Sequence, residues 1–132
     1  MKDNPLLKKS YAFALRIMKL SDYLDEKKRF VLAKQILRSG TSIGANAEEC
    51  VAASSGKDFL NRASIAYREA RESHYWLRLL RDGKYLEPKL ANSLLGDCDE
   101  LVRILSSITK TTREHIQNAD ADNNSWFLIP NS

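Results

Sequence analysis

No segment of this 132-residue chain shows the alternation of apolar and polar residues that marks a half-buried strand. That absence excludes sandwiches, barrels and the alternating strand–helix folds. No apolar run approaches the roughly 20 residues a membrane span needs, and the N-terminus "MKDNPLLKKSYAF" lacks the apolar core of a secretory signal. The expectation is a cytoplasmic protein with no membrane contact. Cysteine is down to two residues, Cys50 and Cys98, with no C-x-x-C spacing. Reduced, buried thiols fit that pattern better than a disulfide framework.

The sequence is also short of chemistry. A di-iron site in a helical bundle needs Glu-x-x-His repeats, but Arg71 stands three residues before His74 and Thr112 three before His115. Cys50, His74 and Cys98 fall on core-facing stripes of different helices, yet zinc ligands come at short paired spacings; the expectation is no metal and no cofactor. Ser39 and Ser42 have no histidine on their own helix to activate them. The chain reads as a non-enzyme.

What is present is helix. Asn4 can cap and Pro5 can take the first helical position, after which Phe13, Ile17, Leu20 and Leu24 recur on one face. "SDYLDEKKR" breaks that helix. A second is expected from about Phe30 to Ala53, with Leu32, Ile36, Ile43, Ala47 and Cys50 inward. A third, from about Lys57 to Arg81, buries Leu60, Ala63, Tyr67, Ala70, His74 and Leu77. The fourth starts at Pro88 and carries Leu90, Leu94, Cys98, Leu101, Leu105 and Ile108 in a nearly heptad rhythm. Short connections between long helices predict an all-α, antiparallel up-down-up-down four-helix bundle over residues 1–117. Residues 118–132 follow as a C-terminal tail: "NADADNNS" has linker composition, and the apolar "WFLIP" after it is expected to dock.

The stretch "RSGTSIGANAEEC" (38–50) poses the sharpest question, because its residues are poor helix formers. A phosphate-binding glycine loop needs a strand before it and a lysine close by, and here the helical "FVLAKQIL" precedes it. Projected on a helix, Gly40 and Gly44 form a small edge suited to close packing. Gln35, Ser39, Ser42 and Asn46, with Glu49 just beyond, form a polar border. Glu69 and Glu72 on the third helix are placed to accept from Arg38, Ser42 or Asn46, closing a polar network between the helices.

Charge is uneven. Residues 1–39 hold ten Lys/Arg and four Asp/Glu, whereas residues 90–132 hold three and six. Lys9, Arg16 and Lys19 flank the first apolar stripe with Tyr23 nearby, Lys27, Lys28 and Arg29 fill the first turn, and Arg78 and Arg81 end the third helix. These eight cations are the candidate surface for an RNA or DNA backbone, which needs charge more than base readout. The competing reading is an ordinary solvated flank.

The runs "LRSGTSIGANAEEC" and "KDFLNRASIAYREARESHYWLRLL" resemble the four-helix-bundle family first noticed as proteins encoded within intervening sequences of bacterial 23S ribosomal RNA. Arg38, Ser39, Ser42, Ile43, Gly44, Asn46 and Glu49 match one family run, and Glu69, Ala70 and Glu72 the other. The likeness spans roughly residues 5 to 113, with Cys50 standing where many relatives carry a small residue. It implies a homopentameric ring with a central channel and no established reaction. A more distant likeness, to the accessory protein of diversity-generating retroelements, implies nucleic acid and a protein partner such as a reverse transcriptase. Two functions follow as expectations: an oligomeric nucleic-acid-binding module, or a ring-forming protein-interaction scaffold with no nucleic-acid role.

Overall fold

The computed structural model describes the backbone of residues 4–128 and the side chains of residues 4–120. Four helices follow one another: α1 (Pro5–Glu26), α2 (Phe30–Val51), α3 (Gly56–Asp82) and α4 (Pro88–Leu128). Each packs on the next and α4 returns to α1, the up-down-up-down bundle that short connections impose. The Asn4 side chain caps α1 by accepting from the N–H groups of Leu6 at 2.9 Å and Leu7 at 3.4 Å. Ser55 caps α3 by accepting from Asp58 N–H at 3.1 Å, and Asp58 in turn accepts from Ser54 N–H.

The core takes Phe13, Ile17, Leu20 and Leu24 from α1 and Ile36, Ile43 and Ala47 from α2. From α4 it takes Leu94, Cys98, Leu101 and Leu105, while the expected Leu90 is 42% exposed. The buried face of α3 is smaller than its sequence suggests: Ala63, Ala66, Ala70, Ser73, Leu77 and Leu80 point inward, and Leu60, Tyr67 and His74 are only half-buried. Small side chains let α3 sit close to both neighbours. Hydrogen bonds inside the core then cross each consecutive seam. Ser21 donates to the Ala33 carbonyl at 3.2 Å, the Ser39 and Ser73 hydroxyls meet at 2.9 Å, and the Cys98 thiol donates to the Ala70 carbonyl at 3.2 Å.

The stretch 38–50 is continuous helix within α2. Its small edge faces α1. A Cβ on Gly40 would sit 2.8 Å from both Ile17 γ-carbons, and one on Gly44 would meet the Ser10 carbonyl oxygen at 3.4 Å. Close approach is therefore demanded most strictly at Gly40.

One expectation shifts at the C-terminal end. Helix α4 runs unbroken through "NADADNNS" to Leu128, because nothing between Pro88 and Pro130 stops it: propagation costs little once a helix is nucleated, and mildly unfavourable Asn and Asp do not suffice to end it. The expected docking of Trp126–Pro130 falls on side chains outside the described residues.

Candidate nucleic-acid interface

The turn after α1 and the turn after α3 lie at the same end of the bundle, where the Arg29 guanidinium sits 4.3 Å over the Tyr85 ring. Both turns are built alike. Lys28 N–H donates to the Asp25 carbonyl at 2.9 Å and Arg29 N–H to Leu24 at 2.8 Å; Lys84 N–H donates to Arg81 at 3.1 Å and Tyr85 N–H to Leu80 at 2.9 Å. These are Schellman terminations, whose pivot residue is left-handed and ordinarily Gly. Here the pivots are Lys28 (φ 62) and Lys84 (φ 64). Gly83 stands one position too early to serve, with φ −76. A left-handed lysine costs roughly 1–2 kcal/mol, so this end holds two strained cations in matching positions. Lys27 lies 5.7 Å over Tyr23. Tyr23, Lys84, Tyr85 and Arg81, together with the carboxylate-bearing Glu87, line an open hollow of about 320 Å³ between the turns.

The other candidate cations do not join this cluster. Lys9 pairs with Glu100 at 3.0 Å, and Arg16 pairs with Asp97 at 2.6 Å and donates to Ser93 at 3.1 Å. The basic flank of α1 is thus laid against the acidic face of α4, so the uneven charge of the sequence is partly cancelled inside the fold. Lys19 lies along the same seam beside Leu90 and Leu94, without an ion pair among the described residues. Arg81 donates to Asp82 at 2.9 Å and to Asn92 at 3.0 Å. Arg78 points along the α3–α4 side, 5.8 Å over Tyr75. Of the eight, Lys27, Lys28 and Arg29 follow one another at this turn and make no ion pair among the described residues, with Lys27 against Tyr23 and Arg29 against Tyr85. Sequence reasoning missed Lys84 and Tyr85, whose only signal was that an antiparallel bundle must bring its first and third turns together.

The expected polar network forms in part. Arg38 forks onto Glu69, at 3.1 Å, and onto Glu72, whose carboxylate also accepts from Trp76 Nε1 at 3.2 Å. The Arg38 hydrogen bond, with help from Trp76, holds the Glu72 carboxyl below its ordinary range despite desolvation. Ser42 and Asn46 do not reach the carboxylates. Ser42 donates to the Arg38 carbonyl at 2.6 Å and Asn46 to the Ser42 carbonyl at 2.9 Å, both back onto their own helix. Ser39 pairs with Ser73 in the core, and Glu49 is exposed. Side-chain reach explains the split: at the surface the long Arg38 reaches the α3 carboxylates where Ser42 and Asn46 do not, and Ser39 meets α3 only through Ser73 in the core.

A family model described as 23S rRNA-intervening sequence protein matches residues 2–107. The chain belongs to that family. A crystal structure at 1.70 Å of a protein of unknown function from the S23 ribosomal protein family of Bacteroides thetaiotaomicron is 46% identical, with a TM-score of 0.77, covering 80% of this chain and 98% of that one. No curated protein matches. The family match stops at residue 107, so the family pattern covers the Arg38 fork and both strained turns but not the last turns of α4.

His74 lies 2.8 Å from Asp99 across the α3–α4 seam. Cys98 is committed to the Ala70 carbonyl, and burial pushes its thiol up to about 12. Cys50 is also raised by burial, with its sulfur toward the Phe59 carbonyl. The histidine and the two cysteines each have their own partner, and they do not converge. No helix among the described residues is long and apolar enough to cross a membrane.

Proposed function

We propose that this protein is a non-enzymatic, cytoplasmic, oligomeric module that binds RNA or DNA through the end of its bundle. The observation that carries the reading is that the turns bearing Lys27, Lys28, Arg29 and Lys84 meet at one end of the bundle beside Tyr23 and Tyr85, with two of the lysines held left-handed at an energetic cost. Cations on a rigid rim suit a phosphate backbone, and the exposed tyrosines offer faces to bases. A protein partner of the reverse-transcriptase kind rests on the family resemblance. Salt-dependent binding of a polynucleotide tests the reading. Replacing Lys27, Lys28, Arg29 and Lys84 with Gln is expected to weaken binding to unrelated sequences about equally and to flatten the salt slope by about 0.7–0.9 per lost phosphate contact. Unchanged affinity rejects this surface.

The second reading, a ring-forming scaffold, is favoured by a different observation. Tyr11, Leu15 and Met18 form an exposed apolar stripe on α1, at 67%, 48% and 51% exposure. On α3 Leu80 is buried and Trp76 packs on the core, while Tyr75 and Leu79 are exposed. A second copy of the chain on the α1 stripe is common to both readings, and the pentameric number rests on the family resemblance. A scaffold without nucleic acid keeps its assembly and shows no polynucleotide binding at any salt concentration.

A further inference from the structure

Between the N-terminal half of α3 and the C-terminal half of α4 runs an open groove of about 920 Å³. It is lined by short polar side chains, Asn61 and Ser64 on α3 and Ser106 and Thr109 on α4, together with the apolar Leu60 and Ile116. Its rims carry Lys57 and Arg68 on α3 and Lys110 and Arg113 on α4, and no carboxylate lines it. None of these four cations makes an ion pair among the described residues, whereas Lys9, Arg16, Arg38 and Arg81 all do. Asp58, the nearest acid in sequence to Lys57, is turned away to accept from Ser54 N–H at 3.1 Å. Four unpaired cations lining one groove that no carboxylate enters mark a place for an anion.

The arrangement also selects the kind of anion. Lys57 and Arg68 are eleven residues apart on one helix, a rise of roughly 16 Å, with Lys110 and Arg113 on the opposite wall. One phosphate cannot touch cations spread over three helical turns, but a chain of phosphates can. Half-buried Tyr67 in the wall supplies an aromatic surface, and the hydroxyl and amide groups of Ser64, Ser106 and Asn61 can donate to phosphate oxygens. We propose that the α3–α4 groove is the track for the phosphodiester backbone of a single nucleic-acid strand, a site separate from the strained turns at one end of the bundle. The proposal rests on the nucleic-acid reading and assigns it a second surface. Sequence reading hid this site because Lys110 and Arg113 sit in the acidic C-terminal third, and only the fold brings them opposite Lys57 and Arg68.

The test measures fluorescence anisotropy of labelled 20-nucleotide oligouridine and oligodeoxythymidine across a salt series. It uses the full chain, the groove variant Lys57→Gln/Arg68→Gln/Lys110→Gln/Arg113→Gln, and the turn variant Lys27→Gln/Lys28→Gln/Arg29→Gln/Lys84→Gln. The groove variant is expected to bind at least tenfold more weakly at low salt, with a slope less steep by about 3, four contacts at about 0.7 each. All four groove side chains are solvent-exposed, so its circular dichroism melt should be unchanged; if it is not, single Lys110→Glu and Arg113→Glu proteins take its place, each expected to bind more weakly with a slope less steep by at least about 0.7. No binding by the full chain overturns the nucleic-acid reading together with this proposal. Binding by the full chain that persists in the groove variant and is lost in the turn variant overturns the groove alone. Displacement of the oligonucleotides by poly-glutamate as readily as by unlabelled oligouridine assigns the groove to acidic polypeptides and overturns it too.

Discussion

At the residue scale the three glycines within α2 and α4 answer to different surroundings. An added Cβ at Gly40 must displace Ile17, which is fully buried and stiff at χ1. Overpacking of that kind costs about 1–3 kcal/mol, against a helix-propensity gain of about 1 kcal/mol. Gly96 has nothing within 4 Å of such an atom and lies exposed. Denaturant melts should therefore show Gly40→Ala losing about 1 kcal/mol and Gly96→Ala gaining about as much, with Gly44→Ala between them. Cys98 gives a pH signature. Burial disfavours its thiolate and pushes the thiol up to about 12 in the fold, from an ordinary value of 9.0 that the unfolded chain regains. Between those values the native state holds a proton the unfolded state has lost. Its contribution is therefore complete below the unfolded value and falls away as pH rises through the folded one, by at most about 1.4 kcal/mol per unit. Cys98→Ser, which keeps a donor but does not titrate there, should remove that alkaline slope from a melt series.

At the scale of elements, the terminations of α1 and α3 spend stability on lysine where Gly fits best. Lys28→Gly and Lys84→Gly should each raise stability by about 1 kcal/mol, and the nucleic-acid reading requires that both weaken polynucleotide binding. A gain in stability with binding intact would leave the strain without a function. The seam between α1 and α4 is held at its surface by Lys9–Glu100 and Arg16–Asp97, all four side chains at least a third exposed. Such pairs contribute about 0–1 kcal/mol each and are screened by salt. Arg16→Asp should cost more than that, by placing like charges together, and adding Asp97→Arg should restore most of it. A double reversal no more stable than the single would show that the pair does not form.

At the scale of the molecule, the exposed Tyr11–Leu15–Met18 stripe faces away from a core that is already complete. Exposed apolar rows of this kind mark association surfaces. Leu15→Glu with Met18→Glu is expected to reduce the mass measured by light scattering to that of a single 15.0 kDa chain without lowering its helicity. A full-length protein that is monomeric at micromolar concentration removes the oligomer from the proposed function.

The sequence by itself determined the four helices, their order and their antiparallel packing, because periodicity, Asn4–Pro5 capping and short turns act locally and leave one simple way to bury four stripes. The family was legible for a similar reason: the Arg38–Glu49 and Glu69–Glu72 runs are contiguous in the chain. What the sequence could not reveal depends on which side chains from distant segments face one another. Arg38 reaches Glu69 and Glu72 while Ser42 and Asn46 turn back on their own helix, a matter of side-chain length across a particular gap. The cations of α1 looked free until α4 supplied Glu100 and Asp97, and Lys110 and Arg113 looked outnumbered until α3 set Lys57 and Arg68 across from them. Charge is counted along the chain but felt through space, so only the tertiary structure decided which cations are neutralised and which are left for a partner.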